Sequence, residues 1–134
     1  MSENFSGNNR VVVDWDGTCV ESVYPGMGSW LPGSVEALTE LIGAGFDVAI
    51  ASTRFAPVEL DEVTPLPEGQ PEREMAKIRA ILDEVGLRKV TIWDKSWKPG
   101  ALAYIDDKAV RYETWGTVLD DLDGILKTPV ERMI

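Results

Sequence analysis

Asp14 and Asp16, two apart in the run VVVDWDGT (residues 11–18), are the first residues able to do chemistry. Two more acids, Asp106 and Asp107, follow the apolar run ALAYI (residues 101–105), and Ser52-Thr53-Arg54 closes a third run, FDVAIA (residues 46–51). Lys95 and Lys98 stand a few residues before the acidic pair. Taken singly, Asp-x-Asp-Gly is ordinary turn chemistry, Ser52 a turn hydroxyl, and Asp106-Asp107 a pair suited to a helix N-terminus. Taken together they read differently. Adjacent acids after an apolar strand repel one another unless a cation lies near, and a cluster of carboxylates suits a hard divalent ion. The 134 residues contain no histidine and a lone cysteine, Cys19. This excludes Ser-His-Asp and Cys-His catalysis, histidine-ligated zinc or iron, and any internal disulfide. The remaining chemistry must use carboxylates, hydroxyls, Lys and Arg, with or without a hard metal ion.

The elements that would position these residues follow from the apolar pattern. Three consecutive valines make residues 10–15 a strand covered on both faces. Residues 19–33, rich in Pro and Gly, read as a loop. Val35, Leu38, Leu41 and Ile42 have helical spacing, with Ser34 as N-cap and Gly43 and Gly45 at the end. A second buried strand spans residues 46–51. Residues 55–71 hold four prolines and several acids and read as an exposed excursion. A helix over 72–85 carries Met75, Ile78, Ile81, Leu82 and Val85 on one stripe. Short strands are expected at 90–93, 101–105 and 110–112, and a last helix at 116–126. The pattern predicts a single α/β domain over residues 1–134, a Rossmann-like three-layer sandwich with a mostly parallel central sheet. Ligands bind such sheets beyond the carboxyl ends of the strands, where Asp14–Thr18, Ser52–Arg54 and Asp106-Asp107 would converge. Residues 1–9 (MSENFSGNN) read as a disordered polar tail with no export signal, and no apolar stretch approaches the ~20 residues of a membrane span. A cytoplasmic protein is expected.

The three clusters and the lysine, in this order, resemble the four motifs of the haloacid dehalogenase superfamily, over residues 10–112. In that family an apolar strand runs into D-x-D-G-T (here VVVDWDGT), a second ends in Ser or Thr (VAIASTR), and a lysine and an acidic pair follow (WKPGALAYIDDKAV). The resemblance implies a Mg²⁺-dependent phosphohydrolase. Asp14 would be the nucleophile that forms an aspartyl-phosphate, and Asp16 the acid–base group. The metal ligands would be Asp14, the backbone carbonyl of Asp16, and Asp106, with Asp107 acting through metal-bound water. Ser52 and the Thr53 N–H would hold phosphate oxygens, and Lys98, favoured over Lys95, would neutralise phosphoryl charge. Arg54 would touch substrate or brace the loop, and Thr18 would hydrogen-bond across the turn. Trp15 and Cys19 read as packing residues. Trp30, Trp93, Trp97 and Trp115 read as core, with Trp30 also a candidate substrate platform.

Spacing bears on the substrate. Thr18 and Ser52 are separated by 33 residues and Arg54 and Lys98 by 43, each including a helix and a strand. Neither gap holds an independent cap domain, which needs about 40 residues by itself. Capless relatives act on large or exposed phosphates or borrow a lid from a second subunit, so a homo-oligomer stays open. A phosphorylated small molecule, a nucleotide or a phosphorylated polynucleotide end all fit. Thirteen basic against 23 acidic residues leave a net charge of −10, which disfavours non-specific duplex binding. Two other readings are a non-catalytic phosphate- or metal-binding protein of the same fold and a receiver-like phospho-accepting domain.

Overall fold

The valine run forms β1 (Arg10–Val13), whose three valines are buried. The computed structural model describes residues 9–56, 64–95, 98–109, 111 and 113–126. After β1 come α1 (Ser34–Gly43), β2 (Asp47–Ile50), a 3-10 turn (Thr53–Phe55), α2 (Gln70–Glu84), β3 (Thr91–Ile92), β4 (Ala103–Ile105) and α3 (Trp115–Leu126). The sheet has the order β3-β2-β1-β4 and every pairing is parallel. This is a small α/β Rossmann-like fold, and among the described residues no cap is inserted. The order reproduces the first four strands of the doubly wound nucleotide-binding sheet, whereas the receiver order would put β1 between β2 and the following strand. The receiver reading therefore fails on topology.

The core lies between the sheet and its helices. Val48, Ile50, Ile78 and Leu82 are fully buried, joined by Leu38 of α1 and by Leu87 and Val90 ahead of β3. The α2 stripe is shifted from the expected one: Pro71, Glu74, Ile78 and Leu82 face inward, and Val85, just past the helix, is exposed. At α1, Gly33 rather than Ser34 occupies the N-cap, with φ 85° and no side-chain cap. Ser34 is already helical, and its hydroxyl donates instead to the Thr18 carbonyl at 3.5 Å.

β4 departs from the expected buried strand. As the last strand on its side of the described sheet it leaves Leu102, Tyr104 and Ile105 exposed. Trp115 is not core: it is 70% exposed, one turn ahead of the half-buried Val118, Leu119 and Leu122 on the same stripe of α3. The expected strand at 110–112 and Trp97 lie outside the described residues, apart from Arg111, as do 1–8 of the tail and 57–63 of the excursion. No helix of the described residues is long and apolar enough to cross a membrane.

Ile78 joins α2 to the sheet with no exposure. Ile78→Ala is expected to lower unfolding stability by about 2–5 kcal/mol, read as a fall in the denaturant midpoint at unchanged slope. A loss under ~1 kcal/mol would mean that α2 does not depend on this contact.

Candidate functional site

Strand register builds the site. Val13 of β1 pairs with Ile50 of β2 and with Ile105 of β4, so three strands end at one level. The next row is hydrogen-bonded as well: Asp14 N–H donates to the Ile105 carbonyl at 2.9 Å and Ala51 N–H to the Val13 carbonyl at 3.1 Å. Asp14 and Asp106 are thereby set side by side. The chain turns back between β1 and β4, the crevice where open parallel sheets bind ligands.

The turn after β1 is anchored by its middle residue. Trp15 is fully buried, edge-on to Trp30 at 5.3 Å, with its indole N–H 3.1 Å from Met27 Sδ. Side chains alternate along an extended chain, so burying Trp15 turns both flanking aspartates away from the core. Backbone N–H groups of Thr18, Cys19 and Val20 converge on the Trp15 carbonyl. Thr18 Oγ1, expected to bond across the turn, is buried with no partner among the described residues; the backbone makes that closure. Cys19 is buried, and burial pushes its thiol up to about 12, which keeps it neutral.

Carboxylate oxygens of Asp14, Asp106 and Asp107 lie within 4.8 Å of one another. Gly17 makes this possible. Its φ is +83°, and a Cβ there would stand 2.4 Å from Asp107 Oδ2. Burial first, then the charges of Asp106, Asp107 and Asp16, push the Asp14 carboxyl from 3.8 up to about 6, although the Trp15 N–H bonds its ionised form. The donor set fits Mg²⁺: all ligands are hard oxygens, and oxygens on opposite sides of that ion stand about 4.2 Å apart, twice a ~2.1 Å bond. The Asp16 side chain is not in the cluster.

Asp16 belongs to Arg54. Arg54 Nε and Nη2 donate to the two Asp16 oxygens, each at 2.7 Å. Nη1 donates to Glu74 Oε1 at 2.6 Å, and the remaining guanidinium hydrogens meet the carbonyls of Pro25 and Gly26. The Arg54 side chain has no exposure, and its hydrogen bonds to Asp16, then that to Glu74, hold its pKa above the usual value against burial. Arg54 therefore braces the loop and has no donor left for substrate. Glu74 completes the clamp: burial pushes it up, but hydrogen bonds from Lys77 and Arg54 outweigh this and hold it low. The sequence reading missed Glu74, although its place one turn before Ile78 and two before Leu82 put it on the inward stripe.

Two cavities meet at Asp14, Thr53 and Asp106. One, of about 630 Å³, also has Ser52, Lys95 and Lys98 on its wall. The other, of about 360 Å³, has Asp16, Tyr24, Leu66 and Asp107. Ser52 Oγ accepts the Arg54 backbone N–H at 3.1 Å, which leaves its O–H free to donate. Lys98 Nζ lies 4.4 Å from the Tyr104 ring centroid and Lys95 Nζ 3.6 Å from Asp94, and both lysines line the larger cavity. The described flanks of the excursion reach the site through Phe55, Pro71 and Leu66. Trp30, the candidate platform, packs edge-on against Trp15 and lines neither cavity.

Among known proteins, no family model and no curated protein matches the chain. It is similar to the solved structure of a conserved protein coded by a locus of Bacteroides thetaiotaomicron, with 26% identity, a TM-score of 0.52, and coverage of 87% of this chain and 90% of that one. The likeness extends over nearly the whole α/β domain.

Gly17→Ala and Gly33→Ala form a matched pair, because both glycines have φ near +84° but only Gly17 has a neighbour within 4 Å of its Cβ. Each is expected to lose about 1–2 kcal/mol from left-handed strain. Gly17→Ala alone should also displace Asp107 and weaken Mg²⁺ binding in titration calorimetry; equal affinities in the pair would remove Asp107 from the site.

Asp14 gives a pH signature. Its folded value of about 6 lies above the ordinary 3.8, so the metal-free fold binds this proton more tightly than the unfolded chain does. Its ionisation costs stability progressively as pH rises from about 4 to about 6, and fully above that. Metal-free wild type should lose Tm relative to Asp14→Asn across this window. Mg²⁺ competes with the same proton, so its affinity should fall below pH of about 6. Parallel Tm curves for the two proteins would assign the titration to another group.

Proposed function

We propose that the chain is a Mg²⁺-dependent phosphomonoesterase that works through an aspartyl-phosphate on Asp14. The observation that carries this reading is the convergence of Asp14, Asp106 and Asp107 within 4.8 Å, beside a cavity walled by Ser52, Thr53, Lys95 and Lys98. It agrees in residue type and chain order with the haloacid dehalogenase motifs. Asp14, Asp106 and Asp107, with the Asp16 carbonyl, would hold the ion. Bound there, Mg²⁺ would neutralise the repulsion between carboxylate and phosphate and polarise the phosphoryl oxygens.

The chain's own groups account for the rest. Asp14 attacks phosphorus and the bond to the leaving oxygen breaks, with a proton passing from Asp16 to that oxygen. Water then attacks the phosphoryl group, returns a proton to Asp16 and frees Asp14. Ser52, the Thr53 N–H and one of the two lysines hold the phosphoryl oxygens. Since no cap is inserted among the described residues, the leaving group is bound by the domain itself, and larger phosphorylated molecules should outperform p-nitrophenyl phosphate.

One observation favours a non-catalytic phosphate- or metal-binding protein instead. Both oxygens of Asp16 accept from Arg54, so proton transfer needs one of these bonds to yield.

Turnover of p-nitrophenyl phosphate with Mg²⁺ separates the two. Hydrolysis that is lost with a chelator and in Asp14→Asn, and lowered about 10²–10⁴-fold in Asp16→Asn, is the expected result. Mg²⁺ binding without turnover on this or any larger phosphomonoester would establish the binding protein.

A further inference from the structure

Asp14 lines both cavities, whereas Asp16 lines only the smaller and Ser52, Lys95 and Lys98 only the larger. On the phosphatase reading, on which this inference rests, the phosphoryl oxygens face the hydroxyl and the lysines. The leaving oxygen must sit beside the acid that protonates it. The cavity of about 360 Å³ with Asp16 is then the one that takes the leaving group, and it lies within the usual range of ligand sites, about 300–1,000 Å³.

Its wall carries one large aromatic surface. Tyr24 is 51% exposed, and the Arg54 guanidinium lies 4.8 Å from its ring centroid. Arg54 is itself 2% exposed with its donors engaged by Asp16, Glu74 and the carbonyls of Pro25 and Gly26. The cation thus covers part of the ring and fixes its position, and the rest of the ring is left to the cavity. Half-buried Leu66 adds a second apolar surface and Ser22 a hydroxyl.

We propose that Tyr24 is a stacking platform for a planar heteroaromatic leaving group, which makes the substrates nucleotides, that is, phosphomonoesters carrying a nucleobase. A flat neutral ring gains from an aromatic face already held in place. A bare sugar has no matching flat face, and a leaving group with further negative charge would meet four acids, Asp14, Asp16, Asp106 and Asp107, against one cation, Lys108, around the same cavity. The loop Tyr24, not the tryptophan that packs on Trp15, is the specificity residue.

The test compares adenosine 5′-monophosphate with ribose 5-phosphate, identical except for the base. Binding is measured by titration calorimetry with Mg²⁺ in Asp14→Asn, which cannot turn either over, carrying Tyr24, Tyr24→Phe or Tyr24→Leu. Leu keeps apolar bulk over Arg54 without a flat face, and Tm of each variant checks that the clamp persists. The nucleotide should bind about tenfold tighter than the sugar phosphate, with that ratio kept by Phe and lost by Leu. A 5′-phosphorylated oligonucleotide in the same assay tells a free nucleotide from a polynucleotide end, since both offer a base. Equal affinity for the two small ligands, no binding of the nucleotide, or a preference that survives in Tyr24→Leu would overturn the platform. The preference in the Asp14→Asn background with no turnover by wild type would sink the hydrolase reading and leave the platform. Turnover without the preference would do the reverse.

Discussion

Arg54 is a cation taken wholly out of water, and several parts of the chain are arranged around that fact. Its side chain has no exposure, a placement that costs several kcal/mol unless opposite charge and well-aligned acceptors offset it. The offset comes from four residues in three segments: Asp16 in the turn after β1, Pro25 and Gly26 in the first loop, and Glu74 on α2. These segments are distant in sequence, and one guanidinium fork fixes their relative positions. Removing either carboxylate would leave buried charge partly uncompensated, a change that commonly costs about 3–5 kcal/mol. The clamp also explains the packing of Tyr24, whose ring lies over the same guanidinium.

The acidic cluster is held by the opposite device, repulsion contained by backbone geometry. Asp14, Asp106 and Asp107 would separate if they stood on mobile loops. Here the ladder bond from Asp14 N–H to the Ile105 carbonyl joins the ends of β1 and β4, and Gly17 leaves room for Asp107. Asp14 responds in the one way open to it, by holding a proton until about pH 6. A divalent ion held by this cluster would compete with that proton for the same carboxylate.

Much of this was legible in the residues, and what was not shares a physical reason. The valine run, the helical stripes and the polar residues after each apolar run fix local geometry, and parallel pairing turns strand ends into a common edge. The convergence of Asp14, Ser52, Thr53, Asp106 and Asp107 at one edge followed from position, whereas the choice of Lys98 over Lys95 came from the family resemblance, and both lysines line the same cavity. Arg54 could be read as substrate contact or brace because the decision belongs to its partners, 38 residues away at Asp16 and 20 away at Glu74. Glu74 announced itself only as an acid on an apolar stripe. Tyr24 gave no signal at all: an exposed tyrosine in a Pro/Gly loop becomes interesting once the loop is folded against Arg54. Trp115 and β4 were expected inside because they are apolar, but apolar residues at the margin of a sheet are covered only if a neighbouring element reaches them.

The pairing of Arg54 with two carboxylates rather than one bears on how Asp16 could act. A buried guanidinium with a single carboxylate partner could not release it without being stranded in a medium of low dielectric. Arg54 has a second partner in Glu74, which is nearly buried and is itself held ionised by Lys77 as well as by Arg54. If Asp16 turned one oxygen from the fork toward a leaving oxygen, Arg54 would keep the other Asp16 oxygen, Glu74 and the carbonyls of Pro25 and Gly26, so the guanidinium would not be stranded. Asp16 is also the more exposed of the two carboxylates, 18% against 7%, and so the one that water or a ligand can more readily draw away. On the phosphatase reading, Glu74 is then what allows the clamp to give up one oxygen of Asp16 without giving up the fold.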